Sequence, residues 1–265
     1  MVKNLSIGRY IETNSAIHKL DPRIKLLGVI AFVTLLVRTS SWQQYVALIL
    51  YTFLIIFLTK IPLIIFLKGI RPLLRIIIFT AVLQILFTGG PDIYFQWGPF
   101  TISDSGIRGA GQVFIRFSLV LMMTSAIGLS TKPLDLTAGL EKLLTPFKII
   151  GLKIQDLALM MSIALRFIPT LFDEANRLKK AQESRGVFFA EGNFFERMKK
   201  FLPLFIPVFV GSFYRAQELA NALDVRGYMG KGKRTTFRIM RIRFQDFVFA
   251  SSLITLVVIF FVFGG

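Results

Sequence analysis

The sequence contains no cysteine and a single histidine, His18. Disulfides, thiolate metal sites and cysteine nucleophiles are therefore excluded, and so is any site built from several histidines. Acidic residues are also scarce, with 15 Asp and Glu against 32 Lys and Arg, and charged residues make up only 18% of the chain. Because a water-soluble domain usually carries more charge than this, lipid is the predicted main solvent.

Apolar residues are what the sequence has in excess, since 54% of the chain is hydrophobic and 28 residues are phenylalanine. Five uncharged runs are candidate membrane spans: residues 26–37, 39–59, 76–91, 117–131 and 247–265. About 20 apolar residues cross a bilayer, so the second and fifth runs are long enough alone. The others need flanking Lys or Arg side chains that reach the headgroups. We predict about five spans and expect no cleavable signal peptide.

The basic residues indicate which side faces the cytoplasm. Lys and Arg are frequent before residue 26 and in the connection at residues 60–75, which has no acid, whereas the loop at 89–106 has two Asp and no base. The protein is therefore predicted to lie in the cell (plasma or inner) membrane, with its N-terminus and residues 132–243 on the cytoplasmic side. The formal charge of +17 then needs no nucleic-acid partner, because the cytoplasmic face of the bilayer accounts for it.

Residues 132–243 are unusually apolar for a cytoplasmic segment. Two apolar stretches, 154–172 and 201–214, each continue into a charged helical pattern. We favour two long helices along the inner boundary, although a transmembrane hairpin would leave the topology of the last span unchanged. The predicted fold is all-α and polytopic: an N-terminal transmembrane domain (1–131, about four spans), a cytoplasmic-side coupling domain (132–243) and a C-terminal span (244–265).

Both charged patterns end in an alanine, three residues and then Arg-Gly, in AQESRG (181–186) and ALDVRG (222–227). Glycine after a run of helix formers is a common helix stop, because it adopts the left-handed cap conformation at little cost. Arg185 and Arg226 are therefore predicted at the last turns of two helices. One such arginine can simply complement the helix dipole, but two copies on one side favour docking to two similar subunits.

With these motifs the chain resembles a known family, the transmembrane T component (EcfT/CbiQ-like) of energy-coupling factor transporters, which are ATP-binding cassette importers of vitamins and metal ions. The stretch YIETNSAIHKLDPRIKLL (10–27) resembles the opening motif of the family. The stretches RFIPTLFDEANRLKKAQESRG (166–186) and RAQELANALDVRGY (215–228) resemble its two coupling helices. Those helices end in Ala-Arg-Gly motifs in the family, and this chain has Ser184 and Val225 before the arginines.

The resemblance implies a non-catalytic coupling subunit with two cytoplasmic ATPase partners and a membrane-embedded, substrate-binding S component. It implies that Arg185 and Arg226 dock onto the ATPases, with Ser184, Gly186, Val225 and Gly227 beside them. The S component is expected on the apolar surface of the same helices, where the candidate contacts are Met160, Met161, Pro169, Pro203 and Pro207. This chain is expected to bind no cofactor and no metal, since ATP and Mg²⁺ belong to the ATPases. Its sequence does not indicate which vitamin or ion is transported.

A phosphate-binding loop and a catalytic histidine are the other candidate functional features of the sequence. GYMGKGKR (227–234) matches G-x-x-x-x-G-K, but Arg234 stands where a phosphate loop needs Ser or Thr. Asp21 is predicted to cap a helix that begins at Pro22, which makes His18 a structural or interface residue before a catalytic one. Two alternatives stay open: a self-contained permease, which would bind substrate alone, and a lipid-modifying membrane enzyme, which would keep its turnover when purified alone.

Overall fold

The structure is a computed structural model that describes residues 10–90, 92–97, 100–146, 154–189, 191–228 and 243–262. A short 3-10 helix, Ile17–Lys19, precedes the first α-helix. The further elements are, in chain order, α1 (Pro22–Arg38), α2 (Trp42–Thr59), α3 (Leu63–Phe87), β1 (Ile93–Trp97), β2 (Phe100–Ser103), α4 (Asp104–Ser130), α5 (Pro133–Leu144), α6 (Ile154–Ser184), α7 (Phe194–Val225) and α8 (Phe244–Val262). The predicted all-α architecture is confirmed.

Four of the described helices are long and apolar enough to cross a membrane, namely α2, α3, α4 and α8. The predicted first span falls on α1, whose 17 residues are at the lower end of the crossing range. The predicted count of about five spans is therefore close to what the helices offer, and the chain is a polytopic membrane protein.

The bounds of two predicted spans need correction. The third, at residues 76–91, is only the second half of α3, which already begins at Leu63. Lys68, Arg71 and Arg75 were assigned to a connection, yet all three lie on this helix. The cations interrupt the apolar run without breaking the helix, because a side chain on the face away from the packing leaves the backbone hydrogen bonds intact. Likewise, the fourth span is the second half of α4.

The loop predicted outside the membrane contains an antiparallel hairpin that sequence reasoning missed. Residue Ile93 pairs with Ser103, and Phe95 with Ile102. Ser103 closes the hairpin onto α3, since its hydroxyl donates to the Thr88 carbonyl at 2.6 Å. The same oxygen caps α4 by accepting the Gly106 N–H at 3.1 Å, as serine does at helix starts.

Helices α3 and α4 pack closely side by side. A Cβ on Gly106 would lie 3.1 to 3.3 Å from the backbone carbonyl oxygens of Ile85, Thr88 and Gln84. A side chain at this position would push the backbone of α3 away by a few tenths of an ångström, so glycine favours this close approach. The core of the transmembrane part lies among α1, α2, α3, α4 and α8, and its fully buried apolar side chains include Phe32, Leu48, Phe66, Met123 and Ala126.

A buried polar cluster fixes the start of α1. Asp21 caps the helix by accepting the Arg23 N–H at 2.9 Å, so the predicted cap is confirmed. Lys25, only 1% exposed, donates to the Ser130 carbonyl at 3.1 Å and to the Thr131 hydroxyl at 2.8 Å. These bonds tie the first turn of α1 to the end of α4, and they satisfy an ammonium group that would be costly to bury alone.

Two further contacts bring other elements to the same turn. The carboxylate of Asp246, at the start of α8, accepts the Asp21 N–H at 2.7 Å and the Arg243 N–H at 2.6 Å. On α5, a Cβ at Gly139 would come within 2.9 Å of the Pro22 Cβ. The beginning of α1 is thus the meeting point of α4, α5 and α8.

The chain divides into two compact units. One comprises residues up to Leu143 together with those from Met240 onward, and the other comprises Leu144–Ile239. Within the second unit, α6 and α7 pack against each other. The three-part division made from the sequence, with boundaries at residues 131 and 243, stays a prediction.

Candidate docking site at two helix ends

Helix α6 ends in a hydrogen-bonded cap centred on Arg185. The Gly186 N–H donates to the Glu183 carbonyl, and the Val187 N–H donates to the Gln182 carbonyl, both at 3.0 Å. Gly186 has φ +87°, a left-handed conformation that glycine adopts cheaply. These two hydrogen bonds around a left-handed glycine form the Schellman motif, and the motif places Arg185 at the junction of helix and turn.

Helix α7 ends in the same motif. The Gly227 N–H donates to the Asp224 carbonyl and the Tyr228 N–H to the Leu223 carbonyl, both at 2.9 Å. Gly227 has φ +72°, and Arg226 is the C-cap residue with φ −80° and ψ 4°. The predicted glycine stops are therefore confirmed at both helices, and the two arginines hold equivalent backbone positions.

Both arginine side chains are available to a partner. Arg185 and Arg226 are exposed, and neither guanidinium has an ion-pair or side-chain hydrogen-bond partner in the part of the chain that the structure describes. Their neighbours differ: the Ser184 hydroxyl is turned back to the Lys180 carbonyl at 3.0 Å, whereas Val225 is 89% exposed. One tip is thus polar beside its arginine and the other is apolar.

The connection between α6 and α7 folds against the beginning of α7. Lys200 donates to the carbonyls of Phe188 and Glu191 at 2.9 and 3.0 Å. The buried ring of Phe189 lies 5.2 Å from that of Phe201. These contacts hold the segment that follows Arg185, and no local sequence pattern pointed to them.

An ion pair that sequence reasoning missed joins the two helices. Arg215 on α7 donates to the Glu174 carboxylate on α6. Gly211 lies one turn earlier on α7, and a Cβ there would sit 3.4 Å from the Glu174 carboxylate oxygen. The pair connects residues 41 positions apart, so only the folded chain reveals it.

The residues predicted to contact an S component lie on exposed parts of both helices. Met160 and Met161 are 63% and 49% exposed, and Pro169, Pro203 and Pro207 are exposed within their helices. Sequence reasoning overlooked an aromatic row on α7. Phe205, Phe209 and Phe213 are exposed, with successive ring centroids 5.9 and 6.2 Å apart, and their i, i+4 spacing was a readable signal.

His18 has a structural position, as predicted. Its Nε2–H donates to the Ile11 carbonyl at 2.8 Å, and its Nδ1 accepts from the Ser15 hydroxyl, 2.6 Å away. Burial lowers the pKa of His18 and the nearby charge of Lys25 lowers it further, against the opposing effect of the Ile11 carbonyl. The ring is therefore held neutral, and it orders the segment whose Ile11 N–H donates to the Leu129 carbonyl on α4.

No group of three or more His, Asp or Glu suited to a metal ion occurs among the described residues. The glycine-rich stretch at 227–234 enters the structure only through Gly227 and Tyr228, and its later residues lie outside the described ranges.

Comparison with known proteins gives the family of the chain. Residues 13–237 match the CbiQ family, which is described as "Cobalt transport protein". The chain belongs to this family. A relative from Listeria monocytogenes, "Energy-coupling factor transporter transmembrane protein EcfT 1", is 46% identical over 97% of this chain and 96% of its own length.

Two further EcfT proteins are similar over nearly the whole length. The one from Lacticaseibacillus paracasei is 42% identical over 95% of this chain and 96% of its own. The one from Bacillus subtilis is 40% identical, over 98% of each chain. The family resemblance inferred from the sequence is therefore confirmed, and this member of the CbiQ/EcfT family is the transmembrane component of an energy-coupling factor transporter.

Proposed function

We propose that this family member couples two cytoplasmic ATPases to a membrane-embedded S component, with Arg185 and Arg226 as the docking residues. The observation that carries the proposal is the pair of equivalent helix ends, each presenting an exposed arginine without an ion-pair partner in the described chain. A guanidinium offers five donors in a planar fork, which suits a groove of carboxylates or carbonyls. Two equivalent tips suit two similar motor subunits.

The helices behind these tips are suited to transmit movement. By their residue numbers, α6 and α7 have 31 and 32 residues, or about 46 and 48 Å at 1.5 Å per residue. Neither glycine nor proline interrupts residues 172–184 or 213–225, so the terminal segments are stiff. The Arg215–Glu174 ion pair joins the two helices about two thirds of the way along each, towards the arginine ends. ATP and Mg²⁺ would act on the motor subunits, and this chain would convey the resulting displacement.

The exposed apolar part of α6 and α7 supports a site for the S component. Methionine is flexible and polarizable, so Met160 and Met161 suit a surface that accepts more than one partner. The family description names cobalt, whereas the names of the EcfT relatives give no substrate. We propose a vitamin or metal ion as cargo, selected by the S component.

The basic residues support an N-terminus on the cytoplasmic side. With α1, α2, α3 and α4 as four successive crossings, the chain returns to the N-terminal side before residue 132, so this topology puts Arg185 and Arg226 on the side where ATP is available. The hairpin β1–β2 has no basic residue within it, as expected for the opposite side.

The docking proposal is tested by pull-down of the detergent-solubilised complex carrying Arg185→Glu and Arg226→Glu together. We expect the ATPases to be lost while the chain still inserts, because truncating one partner of a buried charged pair costs about 2–5 kcal/mol at an interface. Each single substitution should weaken retention. The matched control is Arg177→Glu with Lys199→Glu, which reverses one exposed charge on each helix away from the tips. Normal ATPase retention by the tip variant contradicts the proposal.

The S-component surface is tested in the same complex with Met161→Glu or Pro169→Glu. We expect reduced capture of the S component and unchanged ATPase binding, because the tips are unaltered. Simultaneous loss of both partners would show that the two surfaces have been mapped wrongly.

A further inference from the structure

Three basic side chains form a stripe along α3, namely Lys68, Arg71 and Arg75, hereafter the basic stripe. With 3.6 residues per turn, their i, i+3 and i+7 spacing places them within an arc of about 60°. The buried residues of the same helix, Phe66, Ile70 and Ile77, project in the opposite direction. The basic stripe therefore faces away from the helices against which α3 packs.

The basic stripe has no counter-charge in the part of the chain that the structure describes. All three side chains are exposed, and none has an ion-pair or hydrogen-bond partner among the described residues. The sequence contains no acid anywhere between residues 60 and 90. The other residues on this face, Ile64 and Phe79, are exposed and apolar, so the cations are set in a surface suited to lipid.

The depth of the basic stripe makes a counter-charge necessary. Arg75 is followed by 12 uncharged residues up to Phe87, which span only about 18 Å. The hydrocarbon core is about 30 Å thick, so the Arg75 backbone lies within it if Phe87 is at its edge. A guanidinium at that depth is strongly unfavourable unless it reaches an anionic group at the boundary.

An apolar groove adjoins the N-terminal end of α3. It has a volume of about 750 Å³, and its lining includes Phe53, Phe57 and Leu63, with Lys60 in its wall. Lys60 is exposed and caps α2 in a left-handed conformation, with φ 56°. An apolar groove next to a cation suits a phospholipid, because the groove can take the acyl chain and the cation can attract the phosphate.

We propose that the basic stripe binds the phosphate groups of anionic phospholipids in the leaflet at the N-terminal end of α3. Arginine recognises phosphate through paired hydrogen bonds, and basic residues close to the membrane attract anionic lipid. Orientation by positive charge alone requires no particular face of a helix. The alignment of three cations opposite the packed face is therefore an additional feature. It favours an anionic ligand that lies outside the chain.

The test is native mass spectrometry of the full-length chain in its purified complex, titrated with dioleoyl-phosphatidylglycerol or dioleoyl-phosphatidylcholine. We expect the unaltered protein to retain phosphatidylglycerol preferentially. The triple substitution Lys68→Gln, Arg71→Gln and Arg75→Gln should weaken that retention by about tenfold or more, since each cation contributes several-fold. The charge-preserving triple Lys68→Arg, Arg71→Lys and Arg75→Lys should retain most of the binding.

Each other outcome decides against the proposal. Equal retention of the two lipids by the unaltered protein overturns it, and so does full phosphatidylglycerol retention by the neutral triple variant. Loss of a protein subunit with lipid binding unchanged would assign the stripe to a protein partner instead. If the triple variant does not insert, single Lys68→Gln and Arg75→Gln variants must each weaken phosphatidylglycerol binding, and unchanged affinity in both overturns the proposal.

Discussion

Asp246 is fully buried at the start of α8, and its carboxylate is the acceptor for two backbone N–H groups. Replacing it with alanine leaves the buried Asp21 N–H and the partly buried Arg243 N–H without their partner. A buried unsatisfied donor costs about 1–3 kcal/mol. With the Arg243 N–H at the lower end of that range, we expect Asp246→Ala to reduce the free energy of unfolding by about 2–4 kcal/mol.

The measurement is an SDS titration in mixed micelles, followed by the far-ultraviolet circular dichroism of the helices. Asp246→Asn keeps one carbonyl oxygen and should lose about half as much stability. Asp173→Ala removes an exposed carboxylate on α6 and should change stability by no more than about 0.5 kcal/mol. If Asp246→Ala unfolds at the same SDS fraction as the unaltered protein, the carboxylate is not the anchor that its contacts indicate.

Two further predictions concern the helix caps and pH. Gly186→Ala and Gly227→Ala should each cost about 1–2 kcal/mol of cap stability through the positive φ alone, because an added Cβ meets nothing within 4 Å. Both should weaken ATPase pull-down although the arginines remain, whereas Gly111→Ala, in equally open space on a helix, should not. Because the pKa of His18 is lowered, its stabilising contribution is present above the unfolded pKa of about 6.5 and declines as the pH falls through the folded pKa. Hydrogen-exchange protection of the Ile11 N–H, corrected for the intrinsic rate, should therefore decrease from pH 7.5 to 5.5, and the same decrease in His18→Gln would contradict this.

The features that could be predicted from the sequence were those decided by a few adjacent residues. The glycine stops after Arg185 and Arg226 depend on a few adjacent residues, and both caps formed as predicted. The same holds for Asp21 before Pro22. Each of these features is decided by backbone conformation and hydrogen bonds within one turn, so no distant residue is needed to specify it.

The features that were missed depend on direction or on distant partners. Charge along α3 was taken as a break between elements, although its period places every cation on one face of a continuous helix. The Arg215–Glu174 ion pair and the Lys25 and Asp246 contacts join residues far apart in the chain, and many other pairings were equally compatible with the sequence. The roles of Arg185 and Arg226 and of the exposed methionines remain predictions, which the pull-down experiments on the complex will test.

The convergence of Gly139 on α5 and Asp246 on α8 at one turn of α1 has a consequence for engineering. The segment from Leu144 to Ile239 lies in the chain between α5 and α8. Helix α5 contacts α1 at Pro22, and α8 contacts it at Asp21. In chain order the segment is therefore an insertion between two elements that contact the same turn of α1. A chimaera that exchanges residues 144–239 between relatives should keep Gly139 and Asp246, because these two residues anchor the flanking helices to α1.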